Sequence, residues 1–366
     1  MIGVIADDLT GCGDIGVFFA ASGLRTVIRI NPTLEKYEIK RATEVLIVNT
    51  ESRSDSAETA YGKVKSACNL FGGINVYRVY KKIDSALRGN IGSEIDGFFD
   101  GSGIKFLPFC AAFPAMGRVT RDGYHYVNGK LVTESEFAKD LRNPVKEAHI
   151  PTLLKKQSVH HEKVRVYDCA TGEDLKDIAR ETASLPAVCG AAGLAEELVK
   201  LWVDNIKFCP EKEPAEKGPV LVISGSASPV THAQIEELTR SMDILDVPLD
   251  FNKKRADIMG EKSWPSMVIY PAKGLEGVKN GVIMNTLARL VSKLCGNGMF
   301  RNLVIAGGDT AFNVCGALGL ETLAVKEAVL PGVALCKGIE KEYNVILKPG
   351  SFGGKNALLE CCKVFM

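Results

Sequence analysis

From residue 2 onward, short runs of aliphatic and β-branched residues alternate with stretches of helical pattern, and this alternation restricts the fold of the 366-residue chain more than any other feature. IGVIA (2–6), TVIRI (26–30), EVLIVNT (44–50), VYRVYKK (76–82) and IKFLPF (104–109) read as strands, each short and followed by a polar or glycine-containing turn. Helical patterns fill the intervals, among them 13–22, 56–70 and 92–100. Strands separated by helices in this way form a mostly parallel sheet covered on both faces, so the predicted class is α/β. YHYVNGKLV (124–132) departs from the pattern: Asn128-Gly129 between two alternating runs predicts a β-hairpin on the rim of the first domain.

The polar stretch CPEKEPAEKGP (209–219) reads as a linker. Beyond it the alternation restarts with VLVIS (220–224), a helix from about 229, SMVIY (266–270), a helix at 277–295, LVIAGG (303–308) and a helix from about 309. Two domains follow, 1–212 and 217–366, each a mostly parallel sheet flanked by helices, as the chain length also suggests. No tandem repeat or low-complexity segment interrupts them.

Charge removes several classes of function. The 45 Lys and Arg against 44 Asp and Glu give no basic bias for nucleic acid and no acidic tail. Eleven cysteines, an odd number without a C-x-x-C pair, read as reduced thiols packed like small hydrophobes. The histidine pair His160-His161 is too close in sequence for two ligands of one ion, so no protein-held metal site is expected. Acids arrive as early as Asp7, and no run approaches 18 uncharged apolar residues. The expectation is a cytoplasmic protein with neither leader nor membrane span.

Open parallel sheets bind ligands beyond the carboxyl ends of their strands, so the residues after each strand carry the functional argument. The first strand runs into Asp7, Asp8, Thr10 and Gly11; the paired acids suit cation holding or proton acceptance from a hydroxyl, and equally suit a helix cap. KKIDSALRGNIG (81–92) puts Lys82, Asp84 and Arg88 within seven residues. Two cations flanking an acid fit an anionic ligand bearing a hydroxyl, and a solvated salt-bridged turn is the plain alternative. Arg53 follows a third strand and Arg118 a fourth, and arginines at several strand ends can converge on one anionic substrate.

The second domain has a different chemistry. VLVISGSAS (220–228) gives a strand, then Gly225, Ser226 and Ser228 before Pro229 opens a helix. LVIAGGDTA (303–311) repeats the idea with Gly307, Gly308, Asp309 and Thr310, and GSFGG (350–354) adds a third small-residue loop. Three such loops, two of them joining strand to helix, point to a phosphate cradle. Two familiar motifs fail. GCGDIG (11–16) matches G-x-G-x-x-G, yet Asp7 and Asp8 precede it where a pyrophosphate would sit, and the next strand ends without an acid. Gly354-Lys355 lacks the remainder of a P-loop.

Together these segments resemble the four-carbon acid sugar kinase family. The matching pieces are ADDLTG (6–11), TESR (50–53), KKIDSALRGNIG (81–92), FPAMGR with DGYHYVNG (113–129), GAAGLA (190–195), GSASPVT (225–231), AGGDT (306–310) and KPGSFGG (348–354). They span nearly the whole chain in the family's order. The resemblance implies ATP-dependent phosphorylation of a hydroxyl on threonate, erythronate or an oxo-tetronate, a reaction of carbohydrate metabolism, with Mg²⁺ accompanying ATP. It implies an acid-sugar site in the first domain at Asp7, Asp8, Arg53, Lys82, Asp84 and Arg88, to which the strand-end argument adds Arg118 as an expected substrate contact. It implies an ATP site in the second at Ser226 or Ser228, Gly307 through Thr310 (Gly307, Gly308, Asp309, Thr310), and Gly350. Asp8 or Asp84 is expected to be the catalytic proton acceptor. The expected partners are the small sugar acid and ATP, without nucleic acid or membrane, and a homo-oligomer is compatible. Cys12-Gly13, Ala86 and Ala191 depart from the family's usual residues; the hydroxyl missing at 86 bears on substrate identity. Other readings are a metal-assisted sugar-acid aldolase or dehydratase using Asp7 and Asp8, and a non-catalytic ligand-binding relative.

Overall fold

The computed structural model describes residues 1–31, 43–140, 142–203, 215–226, 228–250, 266–272, 278–296, 298–350 and 352–366. Of the expected linker, residues 209–214 lie outside the described residues, as do Cys209, Ala227, Gly277 and Ser351. The chain divides into two compact units, Met1–Pro210 and Glu211–Met366.

In the first unit, β1 (Ile2–Ala6), β2 (Thr26–Arg29), β3 (Val45–Asn49), β4 (Arg78–Lys82) and β5 (Leu107–Cys110) occupy the runs read as strands. Their helices are α1 (Leu9–Ala21), α2 (Ala57–Gly73) and α3 (Ile91–Ser102). A small antiparallel sheet follows, β6 (Arg118–Arg121), β7 (Tyr124–Val127) and β8 (Lys130–Leu131), and then α4 (Ile150–Gln157), β9 (Val164–Val166), α5 (Gly172–Thr182), β10 (Ala187–Gly190) and α6 (Ala192–Trp202). The expected hairpin is the β7–β8 pair, with Asn128 and Gly129 both at positive φ, the geometry a two-residue hairpin turn demands. The main sheet of this unit runs β2-β3-β1-β4-β10-β5-β9, and its pairings are parallel. Every residue of β1 is buried, as befits a strand with neighbours on both edges and helices on both faces.

The second unit holds β11 (Val220–Ser224), α7 (Pro229–Ser241), β12 (Leu245–Leu249), β13 (Met267–Pro271), α8 (Asn280–Gly296), β14 (Asn302–Ala306) and α9 (Gly308–Leu318). It ends with β15 (Thr322–Leu330), β16 (Val333–Gly338), β17 (Asn344–Lys348) and α10 (Ala357–Lys363). The order is β12-β13-β11-β14-β17-β16-β15; the first five strands are parallel, and β16 is antiparallel to both of its neighbours, β17 and β15. The antiparallel edge is a departure from the simple alternation. Pro331-Gly332 leaves two residues between β15 and β16, with Gly332 at φ +73°, and so short a link cannot make a parallel crossover.

The ten cysteines among the described residues are free and buried, and burial pushes several thiols, such as Cys315, up to about 12. No helix among the described residues is long and apolar enough to cross a membrane.

Candidate active site

The first helix begins earlier than its sequence pattern suggests, because Asp8 caps it. Asp8 Oδ1 accepts from the Gly11 amide at 2.9 Å and Oδ2 from Thr10 Oγ1 at 2.6 Å. Gly11 and Gly13, whose spacing only formally matches a dinucleotide fingerprint, therefore lie inside α1. A Cβ on Gly11 would meet Asp8 Oδ1 at 2.5 Å, so the small residue lets the helix close on its own cap.

Capping does not exhaust Asp8. Arg53, in the turn after β3, sends Nε to Asp7 Oδ2 at 2.7 Å, Nη2 to Asp7 Oδ1 at 2.9 Å and Nη2 also to Asp8 Oδ1 at 2.7 Å. The same Nη2 stands 3.7 Å from Asp84 Oδ1. Asp84, in the turn after β4, takes Arg88 Nε at 3.0 Å and Nη2 at 2.9 Å, together with the amides of Ala86 and Arg88. Arg88 Nη1 reaches on to Asp140 at 3.2 Å. One fork-on-carboxylate pair thus joins Arg53 to Asp7 and another joins Arg88 to Asp84. Five of the sequence-predicted residues, Asp7, Asp8, Arg53, Asp84 and Arg88, meet in one network at the carboxyl ends of β1, β3 and β4.

The backbone is shaped to allow this. Glu51 and Leu87, neither of them glycine, adopt left-handed conformations with φ +45° and +61° in the turns that carry Arg53 and Arg88. Such strain costs on the order of 1–2 kcal/mol per residue. Gly89, at φ +96°, approaches so closely that a Cβ there would lie 3.0 Å from Arg53 Cγ. Asn90 Nδ2 ties the two turns by donating to the carbonyls of Ser52 and Asp55.

The charges perturb one another. Burial works to raise Asp84, but Arg88 and then Arg53 overcome it and hold the carboxyl well below the usual carboxylate range. Asp7 is lowered in the same way, burial being outweighed by Arg53. Lys82 stands beside the network: Nζ donates to the Ile83 carbonyl at 3.0 Å and lies 3.5 Å from Asp14 Oδ2. Its neighbour Lys81 turns to a different side and pairs with Glu94 at 2.6 Å, wholly buried.

Arg118, at the start of β6, is also buried. Its Nη1 donates to the Met116 carbonyl, its Nε is buried without a partner, and no carboxylate among the described residues pairs with it. Burial lowers its pKa. The Phe137 ring lies 5.1 Å from the Arg88 guanidinium and 6.0 Å from that of Arg118, linking the two. Ala86, where the family usually carries a hydroxyl, is buried with its amide on Asp84.

Asp14 escaped the sequence reading. It sits on the buried face of α1, its Oδ1 has no hydrogen-bond partner, and burial raises its carboxyl to about 6, Lys82 opposing and Asp8 and Asp84 adding to the rise. An acid within a helix of glycines and apolar residues (GCGDIGVF) was the available signal. Buried polar atoms rarely lack partners, so an orphaned oxygen beside a lysine marks the place for attention.

The loops of the second unit are tied together by hydroxyls and amides. Thr310 Oγ1 accepts from the Gly225 amide at 3.1 Å, joining the start of α9 to the turn after β11. Ser226 Oγ accepts from the Ser228 amide at 3.2 Å and from Thr231 Oγ1 at 3.3 Å, and Thr231 Oγ1 also reaches the Gly350 carbonyl at 2.8 Å. Gly307 donates its amide to the Lys348 carbonyl at 2.9 Å. Gly308 and Asp309 open α9. Of the predicted contacts, Ser226, Ser228 and Gly350 are thus brought together directly, and Gly307 and Thr310 join them through Lys348 and Gly225. Thr231, Gln234 and Lys348, which organise these loops, were absent from the site expected from sequence.

Comparison with known proteins agrees with this division. Residues 2–165 match a family described as a sugar-binding N-terminal domain, and residues 221–358 match one described as a nucleotide-binding C-terminal domain. A D-threonate kinase of Salmonella typhimurium is 30% identical, the alignment covering 98% of this chain and 96% of that protein. A 3-oxo-tetronate kinase of Brucella melitensis is 25% identical over 99% of this chain and 95% of its own length. The solved structure of a Haemophilus influenzae protein has the same fold, with a TM-score of 0.75 at 23% identity over the full length of both chains. The similarity to these kinases over nearly the whole chain marks a sugar-acid kinase. The chain belongs to the four-carbon acid sugar kinase family.

Proposed function

We propose that this protein transfers the γ-phosphoryl group of ATP to a hydroxyl of a four-carbon sugar acid of the threonate, erythronate or oxo-tetronate type. One observation carries the reading above the rest: a relative named D-threonate kinase aligns with this chain from end to end. The first unit holds the acid and the second holds ATP. Residues 1–212 and 217–366 are the two functional domains.

Phosphoryl transfer is catalysed mainly by positioning and charge stabilisation. Arg53 and Arg88 already face carboxylates, so their part is to keep Asp7 and Asp84 ionised and to fix Asp8 in place. Lys82 and Arg118 retain donor capacity and take the substrate carboxylate. Of the two candidate proton acceptors, Asp84 Oδ2 already receives three donors, whereas Asp8 Oδ2 receives, among the described residues, only the Thr10 hydroxyl. Asp8 therefore accepts the proton of the attacking hydroxyl, and Asp84 organises Arg88 and Arg53. In the second unit Ser226, Ser228, Gly307, Gly308, Thr310 and Gly350 surround the phosphates. Asp309, in the first turn of α9, is the carboxylate suited to a Mg²⁺ ion carried by those phosphates.

The test is an ADP-release assay with Mg-ATP against D- and L-threonate, D- and L-erythronate, their 2-oxo and 3-oxo forms, and glycerate. Acid-dependent release with one member establishes the reaction and its substrate. Silence across the panel, with ATP still raising the unfolding temperature, moves the acceptor outside this class. Silence without thermal protection overturns the kinase reading.

A further inference from the structure

Lys348 is the buried charge that the site described above leaves unexplained. It ends β17 with no exposed surface, and its Nζ donates to two carbonyls, Pro349 at 3.0 Å and Gly350 at 3.3 Å. No carboxylate pairs with it among the described residues. Among the described residues, the titratable group set against it is the Cys361 thiol of α10, which burial pushes up to about 12 and so leaves neutral. Burial in turn lowers Lys348 to about 8. An ammonium withdrawn from water without a counter-charge is costly unless something in the working cycle supplies one.

The loop that follows shows what that is. Its carbonyls are held from beneath: Gly350 by Thr231 Oγ1 at 2.8 Å as well as by Lys348, and Phe352, Gly353 and Gly354 by Gln234 Nε2 at 3.1, 3.1 and 3.0 Å. Gln234 is itself buried. The amides of Gly350, Gly353 and Gly354 have no partner among the described residues. With those carbonyls tied back and the Phe352 amide spent on the Pro349 carbonyl, the adjacent amides of Gly353 and Gly354 are left over for an anion.

We propose that Lys348, with Thr231 and Gln234, makes the loop after β17 an anion site, the side chains fixing the carbonyls and the buried ammonium supplying the positive charge that a nucleotide phosphate offsets. This rests on the reading of the second unit as the nucleotide site. Lys348 acts as a positioning residue, through the loop and through its field.

Titration calorimetry of Mg-ADP into the full-length protein at pH 8, in two buffers of different ionisation enthalpy, tests the proposal. The wild type is expected to take up a fraction of a proton on binding, because a phosphate nearby favours the charged lysine. Lys348→Met is expected to bind at least tenfold more weakly and with no uptake. Tight Mg-ADP binding to a folded Lys348→Met protein, or binding to the wild type without proton uptake, overturns the role of Lys348 while leaving the nucleotide site standing. Should Lys348→Met not fold, the wild-type proton count decides alone. Absence of any Mg-ADP binding to the wild type removes the nucleotide reading and this proposal with it.

Discussion

The two sites handle charge in opposite ways. In the first unit, Asp7, Asp8, Asp84 and Asp140 surround Arg53 and Arg88 in a network of charge-assisted hydrogen bonds. In the second, glycine turns are stitched by Thr310, Thr231, Ser226 and Gln234, and the buried Lys348 meets carbonyls and no carboxylate among the described residues. The first arrangement fixes an ionic scaffold whose members depend on one another, so its residues bear on stability and function together. On the proposed reading, the second leaves positive potential for an anion, so its residues would bear chiefly on ligand affinity. A sugar acid has one charge and several hydroxyls to be read, whereas a triphosphate is mostly charge, and the proposed assignment of the two sites matches those needs.

The sharpest way to break this comparison is Arg53→Met. It strips the shared cation from Asp7 and Asp8 and leaves buried carboxylates unpaired. A loss of about 3–5 kcal/mol in urea unfolding is expected, with activity falling along with it. A small loss would mean that the network is not the scaffold of the first unit.

Asp8→Asn comes next. It keeps the cap and removes the base, so kcat should drop by about 10²- to 10⁴-fold with little change in the KM for ATP. Asp84→Asn should instead cost more stability than Asp8→Asn; equal turnover defects from a stably folded Asp84→Asn would return the base assignment to Asp84.

Asp14→Asn separates stability from function. The native carboxyl titrates at about 6 against 3.8 as its ordinary value. Because the folded-state pKa is raised, the stability linked to this group is present below the unfolded value and is lost as pH rises through about 6. The loss amounts to roughly 3 kcal/mol at 1.36 kcal/mol per unit. Relative to wild type, Asp14→Asn should therefore gain stability between pH 4 and pH 7 in denaturant titrations, while removing the carboxylate that faces Lys82. A flat difference across that range would refute the buried, raised acid.

The smallest effect belongs to the second unit. Gln234→Leu frees three loop carbonyls and should raise the KM for ATP by about tenfold, on the order of 1.4 kcal/mol, without changing the KM for the acid. A matching rise for the acid would erase the proposed difference between the two sites.

Much of this was legible beforehand. The β1 run ends at Ala6 and delivers Asp7 and Asp8 to the strand's carboxyl end; the β4 run does the same for Asp84 and Arg88. Local pattern suffices there, because a strand's end and the turn after it are adjacent in sequence. Asn128-Gly129 specified its hairpin for the same reason. The edge made by β15, β16 and β17 was missed although Pro331-Gly332 announced a tight turn, since apolar runs alone do not reveal strand direction.

What the sequence by itself determined is therefore the alternating α/β architecture, the turns that carry the acids and arginines, and the glycine loops of the second unit. Periodicity and turn chemistry act over a few residues. Only the tertiary structure decided that Arg53 spends its donors on Asp7 and Asp8, that Asp14 keeps an oxygen without a partner, and that Lys348 is buried against the Pro349 and Gly350 carbonyls. Those facts depend on contacts between distant residues, such as Arg53 with Asp7 46 positions away, and on exclusion of water, and both arise only when separate strands are laid side by side.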